Sequence, residues 1–395
     1  MQPAVLTVNG KGAGRVAAGH PWVYANEIRE PVKSFAPASL VDVRDPRGRT
    51  LGFGFVNPRS LICARILSRE TSTFDAAFFA AKLKAANALR ARFRPGEKSY
   101  RLCFGESDGL PGLVIDRFED VYVVQSHAAG IDALVAPIVE GLVREFAPRG
   151  VLLKFDSSAR QLEGLEKRLE VAHGEVPEEL EVAMEGSRFV LDLRRGQKTG
   201  FFHDQAPNRA FLAAHAKGTR VLDVFSYVGA WALAAAKGGA REVLGVDVSA
   251  DAVAWAERNA KASGVSDRVK FEKADAFAKL ETLEKSRARW DVVVLDPPAF
   301  VKSKKSLDAG LKGYREINRR GFALVEDGGL LVAGSCSRHV TREAFLGVLL
   351  AAANDAKRGA RIVHIGSQGP DHPIHLRLPE TEYLKCVFLE VGPLA

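Results

Sequence analysis

The sequence predicts an α/β protein whose C-terminal half is a doubly wound parallel sheet, preceded by a small β-barrel and a small central α+β domain. Three observations predict it. From Thr219 onward, near-continuous apolar strands alternate strictly with helical segments, the pattern of a parallel sheet covered on both faces. Residues 1–70 instead carry short β-type runs separated by glycine and proline, the pattern of a small barrel. Finally, 395 residues exceed one hydrophobic core of ordinary size, while 47% hydrophobic and 26% charged residues are those of a globular chain. The expected boundaries are 1–72, 73–185 and 186–395.

In the first segment AVLTV, WVYANEI, SLVDVRD, TLGFGFV and LICARIL read as strands, with turns at NGKGAG, PRGR and NPRS. The formal charge of the whole chain is +8, and ten Lys or Arg against five Asp or Glu in residues 1–70 place +5 of it here. A basic module suits an anionic partner, nucleic acid above all, and equally a surface tuned for solubility. FDAAFFAAKLKAANALRARF, from Phe74, has helical spacing and reads as a helical link. RLCFGES, GLVIDRF, VYVVQSH and GVLLKFD then read as β, with IDALVAPIVEGLVREFA as an amphipathic helix and FED as a tight turn. Glu106, Asp108 and Asp116 in this region read as turn and surface carboxylates.

The strands of the last domain are TRVLDVF, REVLGVDV, VKFEKADA, WDVVVLDPP and GGLLVAGSCS, and the first four each end at an aspartate: Asp223, Asp247, Asp275 and Asp296. In such sheets ligands bind beyond the carboxyl ends of the strands, so four acids on one rim predict a binding site. The first loop, DVFSYVGAW, has Gly229 as its only glycine and lacks the GxGxxG phosphate cradle. That favours a nucleoside without phosphates, S-adenosylmethionine being the obvious candidate. Asp247 is positioned for a ribose diol and Asp275 for the adenine amine, with Gly229 leaving room for the methionine end.

No run reaches the roughly 18 apolar residues of a membrane span, and the N-terminus lacks the apolar core of a secretory signal, so the chain reads as cytosolic. Cys63, Cys103, Cys336 and Cys386 show no CxxC spacing, which argues against disulfides and a metal site. Cys386 lies inside a β-type run and reads as core. Cys336, in GSCSRHV, ends a strand on the ligand rim; alone it is either a small core residue or a nucleophile, with Arg338 and His339 near enough in sequence to favour its thiolate. VKSKKSLDAGLKGYREINRR carries Lys302, Lys304, Lys305, Lys312, Arg315, Arg319 and Arg320, which suit phosphate contacts and a solvated face equally. His372 in PDHPIH reads as substrate-side or as a turn residue before proline.

DVFSYVG, VDVSADAV, KADAF and DPPAF resemble the successive motifs of class I methyltransferases. Together with GHPWVY, GESDGLPGLVID, GQKTGFFHDQAPNR, SCS, DHP and YLK, they resemble the large-subunit rRNA cytosine-C5 methyltransferases that carry an N-terminal PUA domain. The resemblance spans essentially the whole chain. It implies a PUA-like barrel over 1–72, a Rossmann-like catalytic domain containing DHP and YLK, S-adenosylmethionine as cofactor, and large-subunit rRNA as partner, with no metal and no membrane; a homodimer is compatible with it. The matching motifs assign Asp223, Phe225, Ser226, Gly229, Asp247, Ser249, Asp275, Ala276, Asp296, Gln197 and Asp204 to the cofactor, and Pro297, Pro298, Phe300, Lys302, Lys304 and Arg338 to the substrate.

Methylating carbon 5 of cytosine needs a thiolate at carbon 6 to make carbon 5 nucleophilic, and the resemblance gives that role to Cys336. Asp296 is then expected to bond the base near N3, which requires its carboxyl to hold a proton. Many RNA cytosine-C5 methyltransferases have DPPC; here Ala299 replaces that cysteine, which the family the chain most resembles also lacks, and the base that removes the C5 proton is unassigned. Rival readings are an amino methyltransferase on a purine, a noncatalytic RNA-binding assembly factor, and a small-molecule methyltransferase.

Overall fold

The computed structural model describes residues 3–394. They divide into two compact units: residues 3–179, 192–201 and 370–381 form the first, and 180–191, 202–369 and 382–394 the second. The chain therefore passes between the two units five times rather than once near residue 186. The hairpin of Leu180–Met184 and Ser187–Leu191 belongs with the second unit, while 192–201 and 370–381, which contains DHP, pack with the first. Among the described residues no helix is long and apolar enough to cross a membrane.

The first unit holds two five-stranded sheets. One is built from Ala4–Thr7, Ser39–Arg44, Thr50–Val56, Ala64–Ser68 and Trp22–Val23 in that spatial order. NGKGAG, expected as a turn, instead opens a helix over Gly10–Ala17, because Asn9 caps it by accepting from Gly12 N at 2.9 Å. The other sheet has Arg168–Gly174, Gly150–Phe155, Val121–Ser126, Leu113–Phe118 and Ser99–Phe104 in order. The helix Ala76–Phe93, capped by Asp75, is no mere link: Phe79 and Leu83 are fully buried in the core of this second sheet.

Glu106, Asp108 and Asp116 are each held by a partner and at least partly buried. Asp116 is fully buried and takes two hydrogen bonds from Arg101 at 2.5 and 2.9 Å; Arg90, also fully buried, holds Asp108 at 2.5 and 2.7 Å; Glu106 accepts from Trp22 Nε1. His372 is buried against Asp371, which in turn takes Arg94 and the amide of Arg101. His372 lies at a bend before Pro373, as the turn reading expects, and its side chain is part of a buried node of the first unit.

The second unit is a seven-stranded sheet: β1 (Arg220–Val224), β2 (Glu242–Asp247), β3 (Val269–Lys273), β4 (Trp290–Leu295), β5 (Val325–Ser335), β6 (Arg358–Gly366) and β7 (Lys385–Pro393). Their spatial order is β3-β2-β1-β4-β5-β7-β6, parallel except for β7, which runs antiparallel between β5 and β6. Helices α1 (Ala206–Ala214), α2 (Ala230–Lys237), α3 (Ala250–Ala262), α4 (Ala276–Lys285), α5 (Leu307–Leu324) and α6 (Arg342–Asp355) alternate with the strands. The order reverses between β1 and β4, so the switch-point crevice opens at the ends of those two strands, where Asp223 and Asp296 stand.

Candidate active site on the carboxyl rim

Asp223, near the end of β1, is fully buried. Its Oδ2 accepts from Ala232 N at 3.1 Å, at the start of α2, while its Oδ1 has no partner. Burial, with the charge of Asp296 adding to it, pushes this carboxyl up to about 8. Asp296 follows β4 and is half-buried; its Oδ1 accepts from Gln205 Nε2 at 3.0 Å and its Oδ2 from Trp231 Nε1 at 2.9 Å. Gln205 is oriented in turn by Asn208, whose Nδ2 donates to Gln205 Oε1 at 2.6 Å and to Ser367 O at 3.1 Å. Burial raises Asp296 above the usual carboxylate range, with Asp204 adding to the effect and the Trp231 and Gln205 donors opposing it.

Strand β5 stops at Ser335, so Cys336 emerges on the same rim, one strand from Asp296. Asp296 packs against β5 two residues before Cys336, and it can do so because residue 334 is glycine: a Cβ there would lie 2.7 Å from Asp296 Oδ1. Cys336 is half-buried, whereas Cys63, Cys103 and Cys386 are buried, and burial drives all three thiols up, Cys63 to about 11. Cys386 lies in β7, as core. The turn after Cys336 is fixed by Ser337, whose Oγ accepts from Val301 N at 3.1 Å and bonds the Tyr314 hydroxyl at 2.9 Å. Arg338 and His339 are exposed and make no hydrogen bond or ion pair among the described residues. The buried cation nearby is Lys385 of β7, whose Nζ donates to Ser337 O at 2.7 Å and Tyr383 O at 2.8 Å.

The loop after β1 is held in an uncommon shape. Phe225 and Tyr227 have φ of 71° and 46°, maintained by Phe225 N and Ser226 N both donating to Val246 O and by Tyr227 N donating to Asp247 Oδ2 at 2.9 Å. Asp247 Oδ1 accepts from Ser249 N at 2.9 Å. Buried Ser226 Oγ has no partner. The backbone itself requires glycine at residue 229: φ is 85°, and a Cβ would meet Phe271 Cζ at 2.8 Å. Ser249 and Asp275 cap α3 and α4, accepting from Ala252 N and Ala278 N, and Ala276 is buried at the first turn of α4.

Other expected residues are spread more widely. Asp204 accepts from the Tyr383 hydroxyl at 2.5 Å, and Gln197 lies in the segment that packs with the first unit. Pro297 is buried and Pro298 exposed, while the Phe300 ring packs on Tyr314 with centroids 4.7 Å apart and near Phe225 and Phe277. Of the basic segment, Arg315 is tied to Asp355, Arg319 to Glu284 and Glu316, and Arg320 to Glu316 and Glu281. Lys302, Lys304, Lys305 and Lys312 are exposed and in no ion pair among the described residues. Trp231, Gln205, Tyr383 and Lys385 escaped the sequence reading of the site. The signal for two of them was present: a tryptophan in an otherwise alanine-rich helix, and a lysine inside the apolar run EYLKCVFLEV.

Residues 164–363 match the family of S-adenosylmethionine-dependent methyltransferases, and residues 6–69 match a PUA-like domain. The chain is 37% identical over 371 residues to a protein of Aeromonas salmonicida named ribosomal RNA large subunit methyltransferase I, covering 93% of this chain and 94% of that one. A Vibrio cholerae protein of the same name is 36% identical, covering 98% of each chain. Among solved structures, a methyltransferase complexed with SAH superposes with a TM-score of 0.84 at 20% identity, covering 98% of this chain and 100% of that one.

Proposed function

The chain belongs to the S-adenosylmethionine-dependent methyltransferase family, and on that premise we propose that it methylates carbon 5 of a cytosine in large-subunit ribosomal RNA through a covalent adduct on Cys336. The observation that carries this reading is a half-buried cysteine one strand away from Asp296 on the rim of a methyltransferase sheet. Support for the RNA comes from the names of the relatives, from the PUA-like match, and from the exposed lysines after DPPAF.

The rim suits the cofactor. Asp223 Oδ1 and Ser226 Oγ are buried without partners, and Asp247 has spent two of a carboxylate's roughly four acceptor positions. Asp247, Asp275, Phe225 and Ser226 would hold it. When bound, S-adenosylmethionine supplies an electrophilic methyl group on a sulfonium.

Cys336 Sγ, as thiolate, adds to carbon 6 of the base; the C5–C6 π pair moves onto carbon 5, which becomes the nucleophile. Asp296, pushed toward its protonated form by burial, donates to N3 as charge builds there, while both its oxygens still accept from Trp231 and Gln205. Loss of the C5 proton then returns the electron pair to the ring and expels Cys336 Sγ. With Ala299 in place of a second cysteine, that proton leaves to a base outside the DPPAF motif.

The test is methyl transfer from labelled S-adenosylmethionine to rRNA lacking the modification, followed by mass spectrometry of the nucleosides. Wild type is expected to yield 5-methylcytidine and Cys336→Ala only background. Full activity of Cys336→Ala, or label on an exocyclic amine, overturns the reading.

A further inference from the structure

Lys385, like Lys154 of the first unit, is a buried ammonium held by backbone carbonyls, but it bonds the residue next to the candidate nucleophile. It is 5% exposed, and its ammonium donates to two backbone carbonyls, those of Ser337 and Tyr383. No carboxylate forms an ion pair with it among the described residues. A buried ammonium without a counter-charge is costly, and carbonyl dipoles offset only part of that cost. The ladder between β5 and β7 sets Lys385 opposite Ser335, the residue before Cys336, while its Nζ bonds the carbonyl of Ser337, the residue after it. Lys385 thus flanks the cysteine, its backbone opposite the residue before it and its ammonium on the residue after it.

We infer that Lys385 is a positioning residue whose ammonium is the counter-ion of the Cys336 thiolate, holding that thiol in its reactive form. This deepens the reading of Cys336 as nucleophile and rests on it. Burial pulls Lys385 down to about 8, and the largest influence holding it up is Cys336. The other charged or titratable groups around the pair do not take over the role. Glu382 is bonded to Arg342 at 2.5 Å, Tyr314 gives its hydroxyl to Ser337, Asp296 is an acid, and Arg338 and His339 are exposed.

The readout is the pH dependence of alkylation by iodoacetamide, quantified at the peptide containing Cys336; the other cysteines are buried and Cys336→Ala identifies the signal. Lys385→Met, nearly isosteric and neutral, is expected to move the midpoint up by about one pH unit and to slow alkylation at pH 7 about tenfold, with Lys385→Arg restoring part of the shift. An unchanged midpoint in folded Lys385→Met overturns the inference. Should that variant not fold, the wild-type midpoint decides: below about 8 supports the pair, and at or above the ordinary thiol value of about 8.5 contradicts it. Methyl transfer measured alongside separates the two claims. An inactive Cys336→Ala with an unmoved Lys385→Met midpoint removes the inference alone, and an active Cys336→Ala removes the reading of the nucleophile.

Discussion

In the first unit, Arg101 grips Asp116 with two hydrogen bonds and Arg90 grips Asp108 in the same way, so that both of these buried pairs join opposite charges. At the rim of the second unit, Asp223 is coupled to Asp296, another acid, and Lys385 meets only backbone carbonyls. The residue types are the same and the energetics differ. A buried pair satisfies itself and holds the fold, while a like-charged or uncompensated group keeps a perturbed proton and has something left to give a substrate.

The largest effect should come from breaking a pair. Arg101→Met leaves Asp116 buried with only part of its hydrogen bonding, and is expected to cost about 3–5 kcal/mol in a urea melt; a cost under about 1 kcal/mol would show that these pairs are not what holds the first unit. Next in size, Asp296→Ala should lower methyl transfer about 100-fold or more. Asp296→Asn should keep more activity than Ala, because an amide still donates to N3; equal loss in both would contradict a protonated Asp296.

A smaller effect sharpens the contrast through pH. Asp223 lies at about 8 against an ordinary value near 4. A raised acid gives stability that is fully present below the ordinary value and is lost as pH rises through the folded one. Asp223→Asn should therefore gain melting temperature relative to wild type as pH climbs from 5 to 8.5, and a difference that is flat with pH would refute the raised carboxyl. Smallest of all, Arg338→Ala should change stability by no more than about 0.5 kcal/mol, since its side chain is exposed and makes no hydrogen bond or ion pair. It should leave Cys336 alkylation nearly unchanged; a large drop would move the cation's role from Lys385 to Arg338.

The alternation of apolar strands and helices made the second unit legible, and with it the rim of Asp223, Asp247, Asp275 and Asp296. Strand Arg168–Gly174 was not legible, because all seven of its residues are exposed and it carries no burial period. The helix at Gly10–Ala17 was hidden by three glycines that read as a turn. DHP was assigned to the wrong unit because the chain leaves the second unit at Pro370 and returns at Glu382, an excursion no local pattern announces. Within the site, the aspartates and Cys336 could be found because each ends a strand. Gln205, Trp231 and Lys385 reach it from the turn before α1, from α2 and from the antiparallel β7, through tertiary packing that spacing does not encode.

Methylation through Cys336 requires a covalent bond between its Sγ and carbon 6 of a cytosine. An rRNA fragment carrying 5-fluorocytidine at the modified position tests it directly, because fluorine at carbon 5 cannot leave as a proton and the adduct persists after methylation. With S-adenosylmethionine present, mass spectrometry of the digested complex should find the nucleotide on the peptide containing Cys336. Methylation of unfluorinated RNA with no adduct at Cys336 on the fluorinated one would contradict it.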